Sequence, residues 1–182
     1  VKEKTKELVY SAKEFVKDPY VLEFLNLSQN ERLYESDLEN ALISDIQKFL
    51  LELGRGFAFV SRQKRVSLED DHFYIDLVFY NYLLKCFVLI DLKAGKLTHQ
   101  DVGQMDMYVK LFDDTQKAQD DNPTVGIILC SDKNETVVKY SSIDSKTIFA
   151  SKYKLYLPTI EELKQELEMV KMNGKTIETT NK

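Results

Sequence analysis

Apolar positions change period along this chain, and the changes predict its elements. From Ser36 to Gly54, the residues Leu38, Leu42, Ile46, Phe49, Leu50 and Leu53 recur at helical spacing. Ser36 is the predicted N-cap and Gly54 the residue just past the end. Residues 1–26 read as an amphipathic helical arm or the remnant of a preceding domain, with Leu8, Phe15, Val21, Leu22 and Leu25 set among charges. Asp18-Pro19 interrupts that segment, and Pro suits the first turn of a new helix. Phe57–Val60 predicts a first strand, followed by the basic stretch Arg62, Lys64, Arg65 and an acidic turn at Glu69-Asp70-Asp71. Two apolar runs at about 73–80 and 86–93 predict strands. Their short connection, Asn81–Lys85, predicts an antiparallel hairpin closed by Gly95 and Lys96. Val102, Met105, Val109 and Phe112 predict a helix over 99–112, and Asp113–Asn122 a loop.

Thr124–Cys130 is apolar without alternation, the pattern of a central strand covered on both faces. A helix precedes it, so a parallel crossover from the hairpin is expected. A short helix to about 141 capped by Ser131 or Asp132, a strand over 147–156 and a charged helix from Thr159 to about 171 complete the chain. The order predicts an α/β domain with a central mixed sheet flanked by helices. We divide the chain into the arm at 1–26, a core domain at 27–158 and a C-terminal helix and tail at 159–182.

Composition narrows the class. The 182 residues are 43% hydrophobic and 30% charged, ordinary values for a globular domain long enough to bury a core. No apolar run reaches the roughly 18 residues of a membrane helix, so no membrane partner is expected. Cys86 and Cys130 each sit in an apolar run and offer neither a disulfide framework nor zinc spacing, which suits a reducing cytoplasm. A net charge of −5 argues against indiscriminate nucleic-acid binding but leaves room for a local basic patch.

The chemistry-bearing positions interrupt the two hairpin strands. Asp76 lies inside Ile75–Tyr80, and Asp91 and Lys93 share one face of the next strand. An aspartate in such a run is costly to bury unless it is paired or binds a metal. Two converging carboxylates can hold Mg²⁺, and a lysine beside them can orient water or stabilise charge on phosphorus. The competing reading makes Asp76 a turn cap or a partner of Arg62 or Lys64, and Asp91-Lys93 a strand-end ion pair. His72 and His99 read as exposed loop residues, and Gly54-Arg55-Gly56 as a helix end rather than a phosphate loop.

The block from Tyr74 to Tyr108 resembles the PD-(D/E)xK nuclease superfamily: an acid, a gap, then (D/E)-x-K on the next strand. Within it the resemblance is closest to the bacterial YhcG-like family, in the stretches Asp18–Leu25, Phe49–Phe59, Tyr74–Tyr80 and Val125–Cys130. The resemblance implies a restriction-endonuclease-like core and metal-dependent hydrolysis of DNA phosphodiesters with Mg²⁺, or Mn²⁺ as a substitute. It implies that Asp76, Asp91 and the Leu92 carbonyl bind metal and that Lys93 is catalytic. Position 91 is usually Glu in close relatives, one methylene longer.

Gln104 and Tyr108, four apart on one predicted helix face, match a Q-x-x-x-Y element that contacts DNA or supports the lysine. Glu39 matches an acid on the first helix near the metal; alternatively, Ser36-Asp37-Leu38-Glu39 is a capping box. Arg62, Lys64 and Lys96 are candidate phosphate contacts, and alternate residues of the basic stretch are expected to share a face. The resemblance further implies a helical N-terminal domain ahead of this one, which a start at Val1 fits, and allows a homodimer. The alternative is a catalytically weak or inactive nuclease-fold module for DNA binding or protein assembly.

Overall fold

The computed structural model describes residues 11–27, 34–141, 147–155, 160, 161, 164 and 165. Its centre is a six-stranded sheet in the order β1-β6-β5-β4-β3-β2. The strands are β1 Tyr20–Val21, β2 Phe57–Leu68, β3 Asp71–Asn81, β4 Cys86–Lys96, β5 Val125–Asp132 and β6 Ile148–Lys154. The helices are α1 Ala12–Phe15, α2 Glu35–Ser44, α3 Ile46–Leu53, α4 His99–Thr115 and α5 Glu135–Tyr140. β2, β3 and β4 form an antiparallel meander, while β4, β5, β6 and β1 run parallel. The sheet is therefore mixed and the architecture α/β, as expected.

The apolar periods explain the layers. Leu77, Phe79, Val88, Ile90, Leu92, Ile127 and Leu129 pack with Leu38, Leu42, Phe49 and Leu53 of α2 and α3. Val78, Leu89, Ile128 and Cys130 pack on the other face with Val102, Met105, Tyr108, Val109 and Phe112 of α4. β4 as far as Ile90 and β5 as far as Cys130 run apolar without alternation because both of their faces are covered. Gly126 lets α4 lie close to the sheet: a Cβ there would stand 2.5 Å from Met105 Sδ and 3.0 Å from Val109 Cγ2.

Several elements depart from their predictions. The single helix expected from Ser36 to Leu53 breaks at Asp45, whose backbone (φ −113°, ψ 35°) leaves the helical region. Asp disfavours helix interiors because its side chain competes for nearby backbone groups. The N-cap is Tyr34, not Ser36; Asp37 Oδ2 accepts the Tyr34 N–H at 3.4 Å. The first strand runs on to Leu68, so the basic stretch lies on an edge strand, where one side is open to solvent. The helical arm expected over 1–26 holds only the four residues of α1 as α-helix among its described part. Tyr20 and Val21 instead extend the sheet beside β6, and Tyr20, Leu22 and Leu25 belong to the core. α4 continues three residues beyond 112, His99 opens it, and His72 lies within β3. The helix expected over 159–171 lies largely outside the described residues.

Candidate active site

The β3–β4 ladder ends at Leu77–Ile90, and beyond it the two strands part. β4 stays in the sheet through its pairing with β5, regularly as far as Lys93–Cys130 and, past an irregularity, at Lys96–Asp132. At the split, Asp76 Oδ2 accepts the Leu92 N–H at 2.7 Å, so a side chain replaces the main-chain carbonyl a ladder would supply. Asp91 lies beside it, 5% exposed. The hairpin thus brings its two acids together at the mouth of a fork between strands.

Burial, reinforced by the neighbouring Asp76 carboxylate and only partly offset by Lys93, pushes the Asp91 carboxyl up to about 7. Lys93 Nζ stands 3.1 Å from Asp91 Oδ2, 3.7 Å from Asp101 Oδ1 and 3.9 Å from Glu35 Oε2. Burial alone would lower the lysine's pKa, but Asp91, Glu35 and Asp101 outweigh it and hold it above the ordinary value. At neutral pH this lysine is an ammonium. Glu35 comes from the first turn of α2 and Asp101 from the first turn of α4, where it also accepts the Thr98 N–H at 2.8 Å.

Glu39 is buried on α2, 8% exposed, which removes the capping-box reading; Asp37 already bonds the helix's first N–H. Its Oε2 accepts a hydrogen bond from Gln63 Nε2 at 2.7 Å, and the same nitrogen donates to Asp76 Oδ1 at 2.9 Å. Burial raises the Glu39 carboxyl above the usual range and Asp76 adds to this, against the Gln63 amide and Arg62. Arg62 Nε approaches Glu39 Oε1 at 3.7 Å.

Gln63 has φ 45°, in the left-handed region that few non-glycine residues adopt. The β2–β3 ladder pairs Arg62 with Leu77 and Lys64 with Ile75, without a Gln63–Asp76 pair between them. Leu77 packs toward α2 and α3, and Ile75 toward α4. Arg62 and Lys64 therefore fall on opposite sides of the sheet, contrary to the expectation of a shared face. Arg62 turns to Glu39, while Lys64 and Arg65 line a cavity of about 240 Å³ against Leu111, Phe112 and Thr115 of α4. Lys96 is exposed at the end of β4, in register with Asp132.

Tyr108 is fully buried, so direct contact with DNA is closed to it. Its hydroxyl accepts from Gln104 Nε2 at 2.7 Å and donates to the Tyr74 carbonyl at 3.2 Å, bracing β3 two residues before Asp76. Burial, then the Asp91 charge, pushes that hydroxyl up to about 12, so it remains a donor. Gln104 is half-buried. His72 bonds Arg65 and Ser67 near the far end of the β2–β3 ladder.

The donor set suits a hard divalent cation. Glu39 Oε1 and Asp91 Oδ2 are buried carboxylate oxygens that face side-chain cations, Arg62 at 3.7 Å and Lys93 at 3.1 Å, and oxygens of this kind suit a divalent ion. Among the described residues no three acids stand close enough to form a ready-made cage. The Gln63 amide and the Lys93 ammonium lie against these carboxylates instead. Gln63, Glu35 and Asp101 were missed from sequence: Gln63 sits inside a basic run, and Thr98-His99-Gln100-Asp101 signals only a helix cap.

The profile of the family described as YhcG PDDEXK nuclease domain matches residues 13–168. An Escherichia coli (strain K12) protein described as "Putative nuclease YhcG" is 41% identical over 153 residues, 84% of this chain and 40% of that protein. The chain thus spans about two fifths of the length of that curated relative. Among solved structures, a repair endonuclease from Pyrococcus abyssi is 15% identical, with a TM-score of 0.45 over 72% of this chain and 50% of its own. The EndoMS–dsDNA2 complex gives 15% identity and a TM-score of 0.46 over 72% and 51%.

Proposed function

The chain belongs to the family of YhcG PDDEXK nuclease domains, and from that premise we propose that it hydrolyses DNA phosphodiester bonds with Mg²⁺, or Mn²⁺ in its place. The observation that carries this reading is the fork between β3 and β4, where Asp76 and the buried Asp91 meet beside Lys93. Asp76, Asp91 and the Leu92 carbonyl would hold the metal, with Glu39 joining directly or through water. A bound divalent ion supplies Lewis-acid polarisation of the phosphate and lowers the pKa of its water.

The protein's own groups do the rest. Asp91 must lose its proton before it can act as a ligand, and burial beside Asp76 holds that proton until about neutral pH. Lys93, kept cationic by three acids, would stabilise the negative charge that grows on the phosphate as the attacking water's oxygen bonds to phosphorus, its proton passes to solvent and the bond from phosphorus to the leaving sugar oxygen breaks. It is a poor base while those acids face it. Arg62 and Lys96 offer positive charge to the DNA backbone. Lys64, on the other side of the sheet, contacts phosphate only if the strand wraps round the edge. Gln104 would support the substrate or the lysine, while Tyr108 holds Gln104 and Tyr74 in place.

DNA is the proposed partner and the cytoplasm the proposed compartment. A homodimer and a helical domain ahead of this one belong to the proposal for the whole protein. The test is cleavage of plasmid and linear DNA by the purified protein with Mg²⁺, Mn²⁺ or chelator. Metal-dependent cleavage lost in Asp76→Ala, Asp91→Ala and Lys93→Ala is expected. Cleavage unchanged in those variants would sink the assignment. DNA binding with neither cleavage nor Mn²⁺ uptake would point to a nuclease-fold binding module instead.

A further inference from the structure

Gln63 belongs to no part of the motif, yet its amide joins two of the site's acids. One amide nitrogen donates to two carboxylates from different elements, Glu39 on α2 at 2.7 Å and Asp76 on β3 at 2.9 Å. A side-chain amide has two N–H groups, so each hydrogen serves one acid and none is left over. The backbone adopts the left-handed conformation (φ 45°), and the ladder skips the Gln63–Asp76 pair, at the point where β2 exchanges its faces. Gln63 is itself exposed, so its side chain can swing into solvent without opening the core. The other oxygen of Glu39 faces Arg62 at 3.7 Å and the Oδ2 of Asp91 faces Lys93 at 3.1 Å, so protein cations already stand against both acids.

We infer that Gln63 is a positioning residue that stands in for the cation: its amide holds Glu39 and Asp76 together and withdraws when a divalent metal binds. This rests on the metal-dependent reading above and extends it to a residue outside the motif. The amide is a neutral donor. It keeps two like charges from facing each other bare, but it cannot neutralise them as a divalent ion does. It also competes, because both of its hydrogen bonds to charged acceptors must break before Glu39 and Asp76 can turn to metal.

The competition sets the sign of the test. Gln63→Met keeps the length of the side chain and removes both donors. Calorimetric titration with Mn²⁺ in the absence of DNA should then give a dissociation constant lower by about tenfold, equivalent to about 1.4 kcal/mol. The metal-free variant should melt a few degrees lower, since Glu39 and Asp76 lose their shared donor. Gln63→Gly also removes the amide but relieves the left-handed backbone, and it should show the same gain in affinity. Unchanged or weaker Mn²⁺ binding in both variants overturns the inference. So does a gain confined to one of them, because that traces to backbone or packing rather than to the amide. If the unmutated protein takes up no Mn²⁺, the metal-dependent reading falls and this one with it. If it binds Mn²⁺ through Asp76 and Asp91 while both Gln63 variants bind as the parent does, only the role of Gln63 falls.

Discussion

Replacing Asp91 with Asn should abolish a pH dependence of stability that the structure builds into the metal-free protein. Burial and the adjacent Asp76 carboxylate move the Asp91 carboxyl from its ordinary 3.8 to about 7. In the unfolded chain it releases its proton near the ordinary value; in the folded chain it keeps it. The folded pKa is the higher one, so the stabilisation is fully present below about pH 3.8 and is lost as pH rises through about 7. At about 1.36 kcal/mol per pH unit, the span amounts to about 4 kcal/mol. Asp91 is 5% exposed, so solvent screening removes little of this.

The assay is urea denaturation in chelator from pH 4 to 8, for the parent and for Asp91→Asn, which is neutral throughout. Parent stability minus variant stability should fall by about 4 kcal/mol across that range, most steeply between pH 4 and 7. A difference constant to within about 1 kcal/mol, the margin of such extrapolations, would refute the buried-proton reasoning.

Three further outcomes follow from the same geometry. Metal uptake must displace the Asp91 proton, so Mn²⁺ affinity measured by calorimetry should climb with pH up to about 7 and then level, with protons released to the buffer below that pH. Tyr108→Phe deletes a buried hydroxyl that serves Gln104 and the Tyr74 carbonyl, and should cost about 1–3 kcal/mol of stability. Because Tyr108 cannot reach DNA, its kcat for DNA cleavage should fall with little change in KM; a rise in KM alone would contradict its bracing role. Gly126→Ala forces a Cβ to within 2.5 Å of the buried Met105 Sδ and should cost about 1–3 kcal/mol by thermal melting. A Met105→Ala background should absorb most of that loss, and purely additive losses would place the strain elsewhere.

How far the sequence reaches depends on the range of the forces involved. Helical and alternating apolar periods are local, so α4, the β3–β4 hairpin, the buried β5 and the parallel crossover between β4 and β5 could all be read from the chain. Two acids and a lysine inside apolar strands also announce themselves, because burying such charges is too costly to be incidental. The limits of β2 and the break at Asp45 were less legible. Strand length is decided by how long β3 continues to offer hydrogen bonds, and the break falls at Asp45, a single poor helix former inside an unbroken apolar period.

The site divides in the same way. By itself the sequence determined that Asp76, Asp91 and Lys93 lie on neighbouring strands of a mixed α/β sheet, because periodicity and turn length act within a few residues. Only the tertiary structure decided what surrounds them. It set Glu39 against Gln63 rather than at a helix cap, buried Tyr108 beneath Tyr74, separated Arg62 from Lys64, and brought Glu35 and Asp101 to Lys93 from two different helices. The reason is that hydrogen bonds and ion pairs between distant residues depend on where whole elements dock. A single left-handed residue, Gln63, changes which face its neighbours present, and no local pattern of hydrophobicity records that turn.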